Sequence, residues 1–305
     1  MSTDQTVSTA EHTSLSGMAL AGAAFALLTA MDTIFKLIAG GGHPAYQILL
    51  INAFFALIPI LIWTSLNGGL GRLRTLRAAQ HLARGSASVT SAFAAIYAYS
   101  RLPLTDFYAI VFAGPLIVTA MSAFWLGEKV DTARWVAIAS GFSGILIIAH
   151  PFSGGGDDLD MVRTELGRFA ALISVFCYAL SVVMIRSMRA GENNLTFSFY
   201  GYVACILIAA ACMLLRGPGA ALHVADILHL GLAGILAGIA SICLMTAYHR
   251  TPVALVAPFQ YTQILWGAVA GYFFWNHLPD MRLIAGAAVV AVSGMFVIYR
   301  EMRAR

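Results

Sequence analysis

The sequence predicts an all-α integral membrane protein of ten transmembrane helices, built as two inverted five-helix repeats. Three observations carry that expectation. First, 60% of the 305 residues are hydrophobic and only 10% are charged, whereas a soluble domain carries about 25% charged residues. The mean hydropathy is +0.81. Second, the apolar residues fall into runs near the roughly 20 residues that cross a bilayer. Third, one stretch occurs twice. Ala98-Tyr99-Ser100-Arg101-Leu102-Pro103 returns as Ala247-Tyr248-His249-Arg250-Thr251-Pro252. Each copy is followed by an apolar run, a polar break and a second run containing Ser-Gly, at Ser143-Gly144 and at Ser293-Gly294.

The ten segments, in order, are Ser16–Ile38, Ala45–Leu66, Ala83–Ser100, Asp106–Leu126, Arg134–His150, Gly167–Met188, Leu195–Leu215, Ile227–Tyr248, Val253–Trp275 and Met281–Tyr299. Most connections are very short, so consecutive helices are antiparallel. Pro103, Pro252 and Pro279 fall in these turns, where a missing N–H costs little. Residues 1–15 are rich in Ser and Thr and lack the basic start of a signal peptide. They read as a disordered tail. Cys177, Cys205, Cys212 and Cys243 lie inside apolar runs without metal-ligand spacing. They read as small packing residues rather than a disulfide framework. Gly234/Gly238 and Gly267/Gly271 permit close helix approach, within the chain or in a homodimer.

Basic residues set the orientation. With the N-terminus in the cytoplasm, the inner ends carry Arg72, Arg74, Arg77, Arg84, Lys129, Arg134, Arg186, Arg189, Arg250, Arg300, Arg303 and Arg305. The outer ends carry Arg101, Arg163, Arg168, Arg216 and Arg282, with Lys36 near an outer end. Both termini are thus expected inside a cell membrane. The division is a tail (1–15), a first repeat (16–150), an outer linker (151–166), a second repeat (167–300) and a short tail (301–305). Lys36 aligns with Arg186, and Tyr99 with Tyr248. Five crossings per repeat turn the second copy over, and inverted repeats place a substrate site near the midplane between the halves.

Polar residues within the runs are the candidate site. Thr29, Asp32, Thr33 and Lys36 share one helix face. A carboxylate inside a span is costly unless it is paired or hydrated. Asp32 either pairs with Lys36 four residues on, or faces a watery cavity as a substrate or proton ligand. Ser88 and Ser91, on the face of Arg84, either pack helices together or line a cavity with Tyr97. Tyr108 and Gly114-Pro115 lie in the fourth segment. Pro258, Gln260, Tyr261, Gln263 and Trp266 lie in the ninth, its counterpart. Matching interrupted helices point to a transporter site, so Pro115 and Pro258 are expected helix breaks. The glutamines and Trp266 suit a flat or polar organic molecule. Tyr178 and Ser181 in the sixth segment could face the same space. Tyr99 and Tyr248 read as interfacial aromatics, and Glu128-Lys129 as a hydrated turn.

Leu102-Pro103-Leu104-Thr105-Asp106, Ala113-Gly114-Pro115-Leu116, Phe124-Trp125-Leu126-Gly127-Glu128-Lys129 and Ser140-Gly141-Phe142-Ser143-Gly144-Ile145-Leu146-Ile147 resemble the drug/metabolite transporter superfamily, in its branch of two EamA-type repeats. The resemblance covers residues 16 to 300. It implies a ten-helix carrier of small organic metabolites, similar to chains associated with S-adenosylmethionine uptake and riboflavin uptake. Two departures stand out. Trp275-Asn276-His277 replaces the second copy of Leu126-Gly127-Glu128. Asn52 stands where many relatives carry an arginine, which implies a less anionic substrate.

The function this predicts is secondary transport by alternating access. No GxxxxGK[ST] loop is present to bind nucleotide, so a gradient or exchange would supply the energy. No cofactor, metal cluster or nucleic-acid surface is expected, and the partners are a metabolite and the bilayer. An intramembrane enzyme would need paired acids or an activated nucleophile at depth, and Asp32 is the lone carboxylate well inside a segment. A membrane sensor or assembly subunit that does not transport remains the alternative.

Overall fold

The computed structural model describes residues 3–127, 131–149, 158–188, 194–251 and 256–303. Glu128, Lys129, Arg189, Pro252, Arg305 and the glycines of the acidic linker lie outside these residues, as do the side chains of Arg134 and Arg186. The described residues form eleven α-helices: α1 (Thr3–Gly40), α2 (Ala45–Leu66), α3 (Ala78–Tyr99), α4 (Leu104–Val111), α5 (Gly114–Trp125), α6 (Thr132–Ala149), α7 (Asp158–Met188), α8 (Asn194–Arg216), α9 (Val224–Arg250), α10 (Gln263–Trp275) and α11 (Met281–Arg303). No strand occurs among the described residues. α4 and α5 form one crossing, Leu104–Trp125, so the helices match the ten expected segments. Among the described residues, six crossings are apolar and long enough to span a membrane on length and composition alone. α3 falls short because Arg84, Ser86, Ser88, Thr90 and Ser91 interrupt it.

Two limits differ from the sequence expectation. α1 begins at Thr3, because neither Gly nor Pro interrupts residues 3–16. The expected disordered tail therefore continues the first helix. α7 begins at Asp158 and takes in most of the expected linker.

The packing repeats itself. α1 lies along α9, and α7 lies along α3. α2 meets α9, and α8 meets α3. α5 meets α7, and α10 meets α1. Advancing by five crossings converts the first member of each pair of contacts into the second. The contacts α2–α8, α4–α10 and α6–α11 map onto themselves. The duplicated sequence thus folds as two copies that exchange partners, so α1 and α7 each pack against the opposite half. The main core runs between α1, α2, α3, α4, α7 and α8. Large apolar side chains such as Phe54, Leu214 and Phe273 point outward, as a lipid-facing surface requires.

Close approach uses the small residues. A Cβ on Gly234 or Gly238 would collide with backbone of α2 at Asn52 or Ala56. This pair is therefore consumed inside the chain.

The departure at Trp275-Asn276-His277 has a conformational answer. Asn276 closes α10 in the left-handed region, at φ 54°. Its N–H donates to Tyr272 O at 3.0 Å, and the His277 N–H donates to Gly271 O at 3.0 Å. The Asn276 bond is the 5→1 bond of the left-handed (αL) helix cap. Gly127 occupies the matching place after α5 at φ 66°. Asn is among the few residues that adopt this conformation readily, so the second copy keeps the turn while changing the residue.

Candidate functional site

The polar face of α1 enters the core. Thr29 is 2% exposed and Asp32 7% exposed. Thr29 and Thr33 return their hydroxyls to the carbonyls of Phe25 (3.0 Å) and Thr29 (2.8 Å). Such back-bonding satisfies a hydroxyl inside a helix. Asp32 is held from across the core: the Tyr108 hydroxyl donates to its Oδ2 at 2.8 Å. Tyr99 lies against the same carboxylate and is 3% exposed. It is therefore a core residue at this site, not an interfacial aromatic. The reason is positional: it ends α3 facing α4, with its ring 4.6 Å from Phe107.

Lys36 does not pair with Asp32. Its Nζ donates to Tyr99 O (2.8 Å) and Leu102 O (2.5 Å) and lies 5.2 Å from the Trp275 ring. A cation on the last carbonyls of α3 is favoured by the helix dipole. One lysine thereby ties α1 to the α3–α4 turn and to α10. Asp32 lacks a salt-bridged cation among the described residues. It sits eight residues from the end of α1, about 12 Å deep at 1.5 Å per residue.

The crossing that presents Tyr108 is interrupted. α4 ends at Val111 and α5 begins at Gly114, with Pro115 in its first turn. Pro258 lies in a 3-10 turn, Ala257–Thr262, that leads into α10. Gln263 is buried, while Gln260 and Tyr261 are half-buried. The Tyr261 ring meets Phe112 edge-on at 4.8 Å, and its hydroxyl has no hydrogen-bond partner among the described residues. Trp266 is 46% exposed and stands one residue round the helix from Gly267, which abuts Tyr108.

The serines of α3 serve to join helices. Ser88 Oγ lies 2.7 Å from Ser181 Oγ, and Ser91 donates to Ser174 O at 2.8 Å. Both are contacts between the halves. Arg84, expected at the inner rim, is buried. Its guanidinium donates to Phe197 O at 2.6 Å and to Ser181 Oγ at 3.4 Å. Tyr97 leaves the site and stacks under Arg101, 3.5 Å from ring centroid to guanidinium carbon. Tyr178 lies deep in the bundle, yet its ring remains accessible. A Cβ on Gly114 would touch it, and Tyr248 lies within electrostatic reach.

One feature escaped the sequence reading. A cavity of about 510 Å³ opens beside α7 where α4 and α11 begin and α10 ends, with Asp106, Arg168, His277, Asp280 and Arg282 on its walls. Asp106 is electrostatically coupled to Arg168, Asp280 and Lys36. Lys36 thus interacts with one wall of this mouth and, four residues on from Asp32, shares its helix face. No group of three or more metal-ligating side chains occurs among the described residues.

Residues 165–300 match the model of the EamA-like transporter family. A riboflavin transporter of Rhizobium johnstonii is 28% identical over 77% of this chain and 75% of that protein. A riboflavin transporter of Vibrio cholerae is 27% identical over 94% of this chain and 93% of its own length. An S-adenosylmethionine uptake transporter of Rickettsia bellii is 24% identical over 85% of this chain and 86% of its own. A solved crystal structure with 18% identity covers 95% of this chain and 98% of its own at a TM-score of 0.64, which shows the shared fold. These matches agree with the resemblance carried by the sequence motifs to EamA-type chains of the drug/metabolite transporter superfamily, and with a multi-pass membrane protein.

Proposed function

We propose that the chain is a secondary transporter that moves a small organic metabolite by alternating access. The near-full-length likeness to metabolite transporters supports the class. Asp32 is the observation that carries the mechanism. It is a carboxylate about 12 Å inside a helix, bonded to a tyrosine rather than to a cation. Such a group binds either a proton or a cationic part of the cargo, and either event changes the charge of the core. Rocking of one half against the other then exposes it to opposite sides. Tyr178, Gln260, Tyr261, Gln263 and Trp266 contact the cargo at mid-depth. Riboflavin-like and S-adenosylmethionine-like molecules are the candidate cargoes, by likeness to the named relatives. Both termini lie in the cytoplasm of the cell that carries this membrane protein. A single chain suffices, because Gly234 and Gly238 are occupied internally.

The test uses purified protein in proteoliposomes, with labelled riboflavin and labelled S-adenosylmethionine under an imposed pH gradient. The wild-type protein should accumulate one of them, and Asp32→Asn should abolish accumulation. Full accumulation by Asp32→Asn, with unchanged pH dependence, would remove Asp32 from the mechanism. Binding without flux in the wild type would favour a sensor.

A further inference from the structure

We propose that the mouth cavity is a recognition site for zwitterions, binding an α-amino carboxylate head before the cargo passes to the core. This deepens the transport reading and rests on it for the passage step alone.

The charges carry the argument. Two aspartates and two arginines share one cavity of about 510 Å³, within the range of roughly 300–1,000 Å³ that holds small ligands. Their existing bonds leave ligand capacity. Asp280 uses Oδ1 to cap α11, accepting the Leu283 N–H at 2.6 Å. Its second oxygen is not used by that cap. Arg168 donates through one nitrogen to Glu165 at 2.5 Å, and a guanidinium carries five N–H donors. Among the described residues, Asp106 accepts a weak 3.3 Å bond from the adjacent Thr105 hydroxyl. The cavity thus offers carboxylate oxygens to an ammonium and guanidinium N–H groups to a carboxylate.

Charge balance sets the preference. A ligand of one sign meets repulsion from half of these groups. A zwitterion satisfies both halves, and its own charges are mutually compensated when water is removed. Lys36 interacts electrostatically with Asp106 and adds positive charge near the site.

The placement links recognition to motion. Asp106 comes from the first half, whereas Arg168, Asp280 and Arg282 come from the second. A head group bridging them joins the two halves and fixes the width of the mouth.

S-adenosylmethionine carries an α-amino carboxylate and riboflavin does not, so the pair is a direct probe. Calorimetry on the full chain in nanodiscs should detect S-adenosylmethionine and L-methionine but not riboflavin at this site. Removing the ligand's carboxylate should weaken binding about tenfold, equivalent to about 1.4 kcal/mol. Arg282→Gln should weaken the intact zwitterion similarly, while leaving the decarboxylated analogue unaffected. Arg282 is exposed, so this variant should fold; Asp106→Asn should show the complementary dependence on the ligand's ammonium. Absence of binding by both zwitterions, or equal binding of intact and decarboxylated ligand by every variant, would overturn the proposal. Flux separates the two readings: riboflavin transport without zwitterion binding removes this site and keeps the transporter, whereas charge-dependent binding without flux does the reverse.

Discussion

At the residue scale, the Asp32 environment decides what a substitution does. Tyr108 is 1% exposed and gives its proton to the carboxylate. Tyr108→Phe keeps the ring and removes the donor, so the buried acceptor is left short at a cost of about 1–3 kcal/mol. Thermal unfolding in detergent should report a lower midpoint for Tyr108→Phe, and Asp32→Asn in the same background should recover part of it, because a neutral amide is less demanding. A midpoint unchanged by Tyr108→Phe would mean that another donor replaces the tyrosine.

Asp32 is legible in the sequence because a carboxylate inside an apolar run has few explanations. Tyr99 is not, because an aromatic beside a turn and an arginine has the pattern of a membrane-interface residue. Only the tertiary approach of α1, α3 and α4 shows that its ring faces inward. The charges of the mouth were equally hidden. Asp106, Asp280 and Arg282 each stand at a helix start, where polar residues ordinarily meet water or cap a helix, and Arg168 lies inside α7, paired with Glu165 one turn before it. Their convergence depends on which helices meet, and residues far apart in sequence carry no local sign of that.

At the element scale, helix ends and glycine faces matter most. Asn276 holds the left-handed closure of α10. Asn276→Gly should be neutral, and Asn276→Val should cost about 1–2 kcal/mol or more, since a β-branched side chain opposes that conformation. Comparing the two unfolding midpoints isolates backbone conformation from side-chain loss. The length and order of the helices were readable from hydropathy, because lipid forces backbone groups to bond within each helix. The interruption between Val111 and Gly114 was signalled by Pro115, and the left-handed closure of α10 was concealed behind an apparent departure from the repeat.

At the scale of the whole molecule, the halves meet through hydroxyl pairs. Ser88 and Ser181 stand with their oxygens 2.7 Å apart, one in each half. Cysteines at these two positions, in a chain with Cys177, Cys205, Cys212 and Cys243 replaced, should cross-link readily. Oxidation should then stop transport, and reduction should restore it. Continued transport by the oxidised protein would show that this seam does not open. The duplication itself was visible in two copies of one motif. The exchange of partners, in which α1 serves the second half and α7 the first, follows from packing alone.

The lysine that closes the α3–α4 turn has an optical corollary. Trp275 lies 5.2 Å from its ammonium, at the end of α10 beside the mouth. An indole reports nearby charge through its emission. A chain retaining Trp275 alone among its tryptophans would carry a native fluorophore beside this ammonium. Movement of Lys36 away from the turn would then be visible as a spectral change during turnover, without any attached dye.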